Sequence, residues 1–199
     1  MSFGVEYMSK LFKELKYQFR YALPVWGISL LTAWLPDNGL CIRVRGALIS
    51  YFLPGRPRNL LIGRDVTLLS VNRLKLGNHI YIAKGSWINA IGGIEFEDEV
   101  VLAPYVVMSS NNHGFKDGSV QRGGAHPAPI KVGFGSWIAA HSVIAAGVTV
   151  GKGNLIAANS VVTKDTSDNV VMAGVPAHLV KERVDNPSQI TSKHDIEVK

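Results

Sequence analysis

From about Leu60 onward, hydrophobic and polar positions follow a six-residue repeat. Beginning at Val132, a branched apolar residue returns every sixth position, at Val132, Ile138, Ile144, Val150, Ile156 and Val162. The residue after each is small or polar: Gly133, Ala139, Ala145, Gly151, Ala157 and Thr163. Four positions beyond the first five stand Ser136, Ser142, Val148, Asn154 and Ser160. The same grammar runs upstream through Ile62-Gly63, Leu76-Gly77, Ile82-Ala83, Phe96-Glu97 and Leu102-Ala103. A period of six wanders around an α-helix and does not match the unbroken alternation of an ordinary strand. It matches a triangular coil in which each unit is one short strand plus a corner, with the branched residue inward and small residues where backbones approach. Three units make a turn of about 18 residues, and turns stack at roughly 4.8 Å. The pattern predicts a mainly β, parallel solenoid. Its handedness does not follow from the period, because parallel crossovers are normally right-handed.

Ahead of the repeat, residues 8 to 23 carry helical spacing, with Leu11, Leu15, Phe19 and Leu23 on one face and Lys10, Lys13, Lys16 and Arg20 turned elsewhere. Such a face covers the rest of the protein or a partner subunit; the alternative, favoured by the basic residues with Trp26 and Trp34, is an anionic membrane surface over residues 8–36. The uncharged stretch from Tyr21 to Pro36 falls short of the roughly 20 residues a membrane span needs, and Pro24 and Gly27 interrupt it. The chain therefore divides into an N-terminal helical segment (1–50), the solenoid (51–183) and a short C-terminal tail (184–199). The repeat breaks once, between Met108 and Val132, and the Gly-, Asn-, His- and Pro-rich residues 109–129 read as an extruded loop.

Composition narrows the partners. The 199 residues are 47% hydrophobic and 18% charged, with a net charge of +6 spread along the chain rather than gathered in a block. A phosphorylated cofactor, an acidic substrate or an anionic membrane explains that balance as well as nucleic acid would, and no nucleic-acid motif accompanies it. The single Cys41 has no cysteine or histidine at metal-ligand spacing, so neither an internal disulfide nor a metal site is expected. With no convincing secretion signal, a cytoplasmic home is the expectation, peripheral to the inner face of the membrane if the N-terminal segment binds lipid.

Four segments carry a resemblance: Ile130-Lys131-Val132-Gly133 through Trp137-Ile138, Ile144-Ala145-Ala146-Gly147-Val148-Thr149-Val150-Gly151, Ser160-Val161-Val162-Thr163-Lys164-Asp165, and Ala173-Gly174-Val175-Pro176-Ala177. Together they resemble the hexapeptide-repeat acyltransferase superfamily, nearest to the maltose, galactoside and nodulation-type sugar O-acetyltransferases. The resemblance covers roughly residues 60 to 183 of the chain. It implies a left-handed parallel β-helix, a homotrimer, and acetyl-CoA bound in a cleft between subunits, with no metal.

It also implies roles. His113 falls where the family places its catalytic base, at the start of the loop, and an imidazole, whose ordinary pKa lies near 6.5, can take a proton from an attacking hydroxyl at neutral pH. The Ala140 amide aligns with the family's oxyanion donor. Trp137 and Ala139 fall beside the pantetheine arm, Ala158 offers it a backbone amide, and Thr163, Lys164 and Lys181 fall toward the nucleotide and phosphates. His79 and His141 occupy corner positions and read as structural.

On the acceptor side the chain departs from the family. Asn or Asp side chains expected below the histidine are replaced by small residues such as Ala83 and Gly85. Asn89, Asn111, Asn112, Arg122 and His126 remain as substrate-binding candidates, with any of the three asparagines also able to orient His113. The expected activity is acetyl-CoA-dependent O-acetylation of a sugar hydroxyl, in a surface polysaccharide or its precursor. The alternatives are N-acetylation of an amino-sugar nucleotide or antibiotic, and a non-catalytic solenoid that only binds. A zinc enzyme on the same fold needs converging histidines, and Gly114 to Gly118 after His113 contain none.

Overall fold

A computed structural model describes residues 2–183; the tail assigned to 184–199 lies outside the described residues. The repeat builds three sheet faces of a prism. The first face stacks β1 (Leu61–Ile62), β4 (Tyr81–Ile82), β7 (Val101–Leu102), β12 (Trp137–Ile138), β15 (Leu155–Ile156) and β17 (Val170–Ala173) in parallel. An antiparallel strand, β18 (His178–Glu182), closes it. The second face stacks β2 (Thr67–Leu69), β5 (Trp87–Asn89), β8 (Val107–Ser109), β13 (Val143–Ile144) and β16 (Val161–Val162). The third holds β3 (Leu74–Leu76), β6 (Ile94–Phe96), β11 (Ile130–Val132) and β14 (Thr149–Val150).

Register refines the expected turn length. Trp137 pairs with Leu155, the expected step of 18 residues. Before the loop the step is 20, as Leu61 pairs with Tyr81 and Tyr81 with Val101. The extra residues sit at the second-to-third corner, where a 3₁₀ turn (Val71–Arg73) follows left-handed Ser70 and a wider bend spans 90–93.

All six repeating branched residues from Val132 to Val162 point inward, none more than 1% exposed. Ile62, Ile82, Leu102, Ile138 and Ile156 form one column, and Ile88, Met108, Ile144 and Val162 another. Each such side chain contributes about 1.5–3 kcal/mol by leaving water. The polar positions of the repeat are buried too, and they are bonded rather than exposed. Ser136 Oγ donates to Gly151 O (2.8 Å), Ser142 Oγ donates to Ala157 O (2.8 Å), and Asn154 Nδ2 donates to Thr166 Oγ1 (2.7 Å). Glycine at the corners reflects contact: a Cβ on Gly133 would lie 2.7 Å from the backbone of Gly151 in the next coil.

Four segments precede the prism: α1 (Ser2–Tyr17), a π-helical turn (Gln18–Ala22), α2 (Leu23–Thr32) and α3 (Gly39–Ser50). The helical path is longer than residues 8–23, and Pro24 does not break it. Proline falls in the first turn of α2, where its missing N–H is tolerated, and the π turn widens the backbone just before it. Arg45, 2% exposed, anchors α3: it donates to Ile62 O (2.8 Å) and Thr32 O (3.2 Å) and pairs with Asp37 (3.2 Å). By contrast, α1 packs mainly on the π turn, and Leu11, Leu15, Phe19 and Leu23 stay exposed in the single chain. Among the described residues no helix is long and apolar enough to cross a membrane.

Candidate active site

The break in the repeat is an ordered ribbon. Ser109 still belongs to β8, and β9 (Asn111–His113) runs antiparallel to β10 (Ala125–Pro127), with a short helical turn, α4 (Val120–Gly123), near the tip. Its base is bonded to the coils on either side. Ser110 N and Oγ donate to Asn89 O (3.0 and 2.9 Å), Ala128 N donates to Ser110 O (3.0 Å), and Gly147 N donates to Ala128 O (3.3 Å). A loop held this way presents side chains from a fixed platform.

Alternation along β9 decides which candidates meet. His113 faces Ala125 and shares its side of the ribbon with Asn111, whose Nδ2 lies 3.4 Å from His113 Nε2. Asn111 Oδ1 is buried with no partner among the described residues. Asn112 and His126 oppose each other on the other side, and the His126 ring lies against Gly114. Arg122 bonds to Asp117 within the tip, through the carbonyl (2.9 Å) and the carboxylate (3.7 Å). Asn89 Oδ1 accepts from Ile91 N (3.2 Å), closing its own turn. The structure thus joins Asn111 to His113 and engages the other acceptor-side candidates elsewhere.

The cofactor-side candidates gather at the first-to-second corner. In every coil this corner turns through one left-handed residue, Asp65, Gly85, Tyr105, His141 or Asn159, with φ between 58° and 70°. Where the residue before it has an N–H, that group takes no part in the ladder hydrogen bonds. In the first coil that amide, Arg64 N, is met by Asp37 Oδ1 at 2.8 Å, so the geometry suits an oxygen acceptor. For Lys84, Ala140 and Ala158 no acceptor is recorded among the described residues, and Pro104, at the equivalent position, has no N–H. The third-to-first corner differs: Arg58 N, Asn78 N, Phe134 N and Lys152 N are capped by Asn78, Asp98, Glu97 and Asp168, at 2.7–3.1 Å. There the hydrogen bond from the Asn78 amide holds the Asp98 carboxyl below its ordinary pKa, helped by the Asn78 side chain and the charges of His79 and Arg58. Among the described residues the first-to-second corner therefore leaves three donors open, two of them on the alanines of the coils after the ribbon.

Trp137, 48% exposed on the first face, stands just before this corner. Ala139 contributes no amide, because its N–H donates to Ile156 O (2.9 Å) in the ladder. His141 stacks on Tyr105 from the coil before (centroids 5.0 Å, planes 16° apart), so an aromatic pair adjoins the open amides. Tyr105 escaped the sequence reading because its register with His141 depends on the length of the inserted ribbon. Thr163 and Lys164 sit at the second-to-third corner, and Lys181 lies opposite Val171 at the outer edge of the first face. His113 leaves from the second-to-third corner and Ala140 lies at the first-to-second, so the two stand at different corners of one chain. Among the described residues, no group of three His, Cys, Asp or Glu is placed to hold a metal.

Comparison with known proteins gives a match to the bacterial transferase hexapeptide (six repeats) model over residues 129–164. Galactoside O-acetyltransferase of Escherichia coli K12 is 41% identical over 85 residues, 43% of this chain and only 42% of that relative's length. The putative colanic acid biosynthesis acetyltransferase WcaF of the same organism is 27% identical over 161 residues, 80% of this chain and 86% of its own. A galactoside acetyltransferase solved in complex with coenzyme A superposes with a TM-score of 0.68 at 26% identity, covering 85% of this chain and 84% of that one. The chain is a mainly β, parallel solenoid of about six turns, and its structural neighbours are left-handed β-helix acetyltransferases.

Proposed function

The chain belongs to the hexapeptide-repeat, left-handed β-helix acyltransferases, and from that premise we propose that it moves an acetyl group from acetyl-CoA to a sugar hydroxyl. The observation that carries this reading is the pair of open amides at Ala140 and Ala158 beside exposed Trp137. Because His113 and Ala140 occupy different corners, the working centre forms between subunits, the base of one chain facing the amides of the next in a homotrimer. The acceptor oxygen attacks the thioester carbonyl while the unprotonated nitrogen of the His113 imidazole takes its proton. The negative charge that develops on the carbonyl oxygen is met by the Ala140 N–H. Collapse breaks the carbon–sulfur bond, and the departing thiolate recovers the proton from the imidazolium. Trp137 and the Ala139 methyl flank the pantetheine, the Ala158 N–H binds one of its carbonyls, and Thr163, Lys164 and Lys181 serve the nucleotide end.

Similarity to a galactoside acetyltransferase and to a colanic acid biosynthesis acetyltransferase supports a sugar acceptor within a surface polysaccharide or its precursor. A membrane location for that work draws support from the N-terminal helices. Met8, Phe12, Leu15, Phe19, Leu23, Trp26, Leu30 and Trp34 recur every three or four residues, all between 44% and 78% exposed. Lys13, Lys16 and Arg20 run along a flank of this stripe, the arrangement of a helix lying on anionic lipid. Replacing Phe12 and Trp34 together by Asp is expected to abolish sedimentation with phosphatidylglycerol vesicles; unchanged sedimentation refutes the membrane contact.

The test of the reaction is thiol release from acetyl-CoA against a panel of mono-, oligo- and polysaccharides, run beside His113→Ala. Loss of base catalysis lowers kcat by about 10²-fold or more. A rate equal to the native one removes His113 from its role.

A further inference from the structure

A second concave site lies at the other end of the prism, away from every residue assigned to transfer. A cavity of about 1080 Å³ opens where α3 meets the first coil, and Arg43, Arg56, Arg58 and His79 line it over a floor that includes Leu60. Arg43 comes from α3, Arg56 and Arg58 from the Gly-Arg-Pro-Arg-Asn connection to β1, and His79 from the next corner up.

The three arginines converge without a carboxylate among the residues that line the cavity. None of the three arginines takes part in an ion pair recorded among the described residues. What holds them is neutral: the Arg56 guanidinium lies over the Tyr51 ring, 4.4 Å from its centroid, and Arg58 Nε donates to Asn78 Oδ1 at 3.4 Å. Asp98 is within electrostatic reach of Arg58 and His79, yet its carboxylate is committed to Asn78 N at 2.7 Å and does not line the cavity. Asn59 Nδ2 lies 3.4 Å from His79 Nδ1. With that amide donating, the imidazole proton sits on Nε2, a further donor. The loop is held in this shape even at Arg56, whose φ of 48° a side chain of its kind adopts only against steric resistance.

Like charges brought together repel, and an arrangement of this kind is relieved by a bound anion. Guanidinium forks match the paired oxygens of phosphate and carboxylate. Three of them around one cavity exceed what a single carboxylate can engage, and they suit the spread of oxygens and the charge of a diphosphate. We propose that this cavity is a phosphate site that binds the phosphate or diphosphate ester of the sugar acceptor, anchoring it apart from the acetyl-CoA cleft. The identity of the acceptor as a sugar rests on the function proposed above; the affinity for phosphate does not.

Calorimetry with pyrophosphate tests the site directly on the full chain, native and Arg56→Gln/Arg58→Gln, with coenzyme A and phosphatidylglycerol vesicles as separate arms. The expected result is saturable pyrophosphate binding, weakened at least about 10-fold in the double variant, while coenzyme A affinity, melting temperature and acetylation of an uncharged sugar stay as in the native protein. Absence of saturable binding, or equal binding by the variant, overturns the proposal. So does a parallel loss of coenzyme A affinity, which assigns the cavity to that cofactor's own phosphates. Vesicle binding that depends on these arginines without pyrophosphate binding also overturns it, since the patch is then a lipid contact. Failure of acetyl transfer with pyrophosphate binding intact refutes only the transfer reading.

Discussion

Ala140→Pro separates the proposed oxyanion donor from everything else at its corner. Proline removes one N–H, and the Ala140 N–H has no recorded partner among the described residues, so no internal hydrogen bond is lost. The corner already accepts proline: Pro104 holds the equivalent position one coil earlier, between Ala103 and left-handed Tyr105, as Ala140 lies between Ala139 and left-handed His141. The ladder around both is the same, with Ala103 N donating to Ile138 O (2.9 Å) and Ala139 N to Ile156 O (2.9 Å). The Ala140 carbonyl, which accepts from Asn159 N at 2.9 Å, is untouched. Stability should therefore hold or rise by about 0.4–1 kcal/mol, because proline restricts the unfolded chain. Catalysis should fall: a single oxyanion donor is worth about 10²–10³ in kcat, roughly 2.7–4 kcal/mol. Steady-state thiol release gives kcat and KM, circular dichroism gives the melting temperature, and Ala140→Gly, which keeps the N–H, is the control. A kcat within a few-fold of native at an unchanged melting temperature refutes the assignment of this amide.

Other consequences follow from packing and charge. Ile138→Ala empties a fully buried position in the central column and should cost about 2–5 kcal/mol by chemical denaturation. Gly133→Ala forces a methyl to within 2.7 Å of the next coil's backbone and should destabilise by about 1–3 kcal/mol, whereas Gly118→Ala, with open space around it, should not disturb packing and should cost only its left-handed backbone (φ 71°). Arg45→Ala leaves the Ile62 carbonyl without its Arg45 donor and Asp37 with the Arg64 amide alone, and should cost about 1–3 kcal/mol, loosening α3 from the first coil in hydrogen exchange. The folded-state pKa of Asp98 is depressed, so its stabilising effect is present above the ordinary carboxylate pKa and disappears as pH falls through the lower folded value. Asp98→Asn should flatten that acid limb by lowering stability above pH ~6, where the native carboxylate is ionised, while leaving the acid end of the stability–pH curve nearly unchanged.

Periodicity alone determined the solenoid, its inward column from Val132 to Val162 and the place where the coil is interrupted. Those features are local: each six-residue unit carries its own strand and corner, so the signal repeats in the linear chain. The amphipathic N-terminal helix was legible in the same way, although the π turn that carries it past Pro24 was not. What only the tertiary structure decided depends on register across the insertion. The 20-residue early coils, the stacking of Tyr105 on His141, the sharing of one ribbon face by His113 and Asn111, and the turning of Asn112 and His126 to the other all require knowing which residues lie above one another. The same holds for Ala140 and Ala158. Nothing in an alanine announces an open amide; it becomes one because the ladder does not use its N–H and no neighbouring coil supplies a recorded cap. Arg43, Arg56, Arg58 and His79 lie up to 36 positions apart in the chain and meet because α3 folds back on the first coil. Hydrophobic spacing records what each segment buries, whereas a binding site is made by what different segments leave unpaired when they come together.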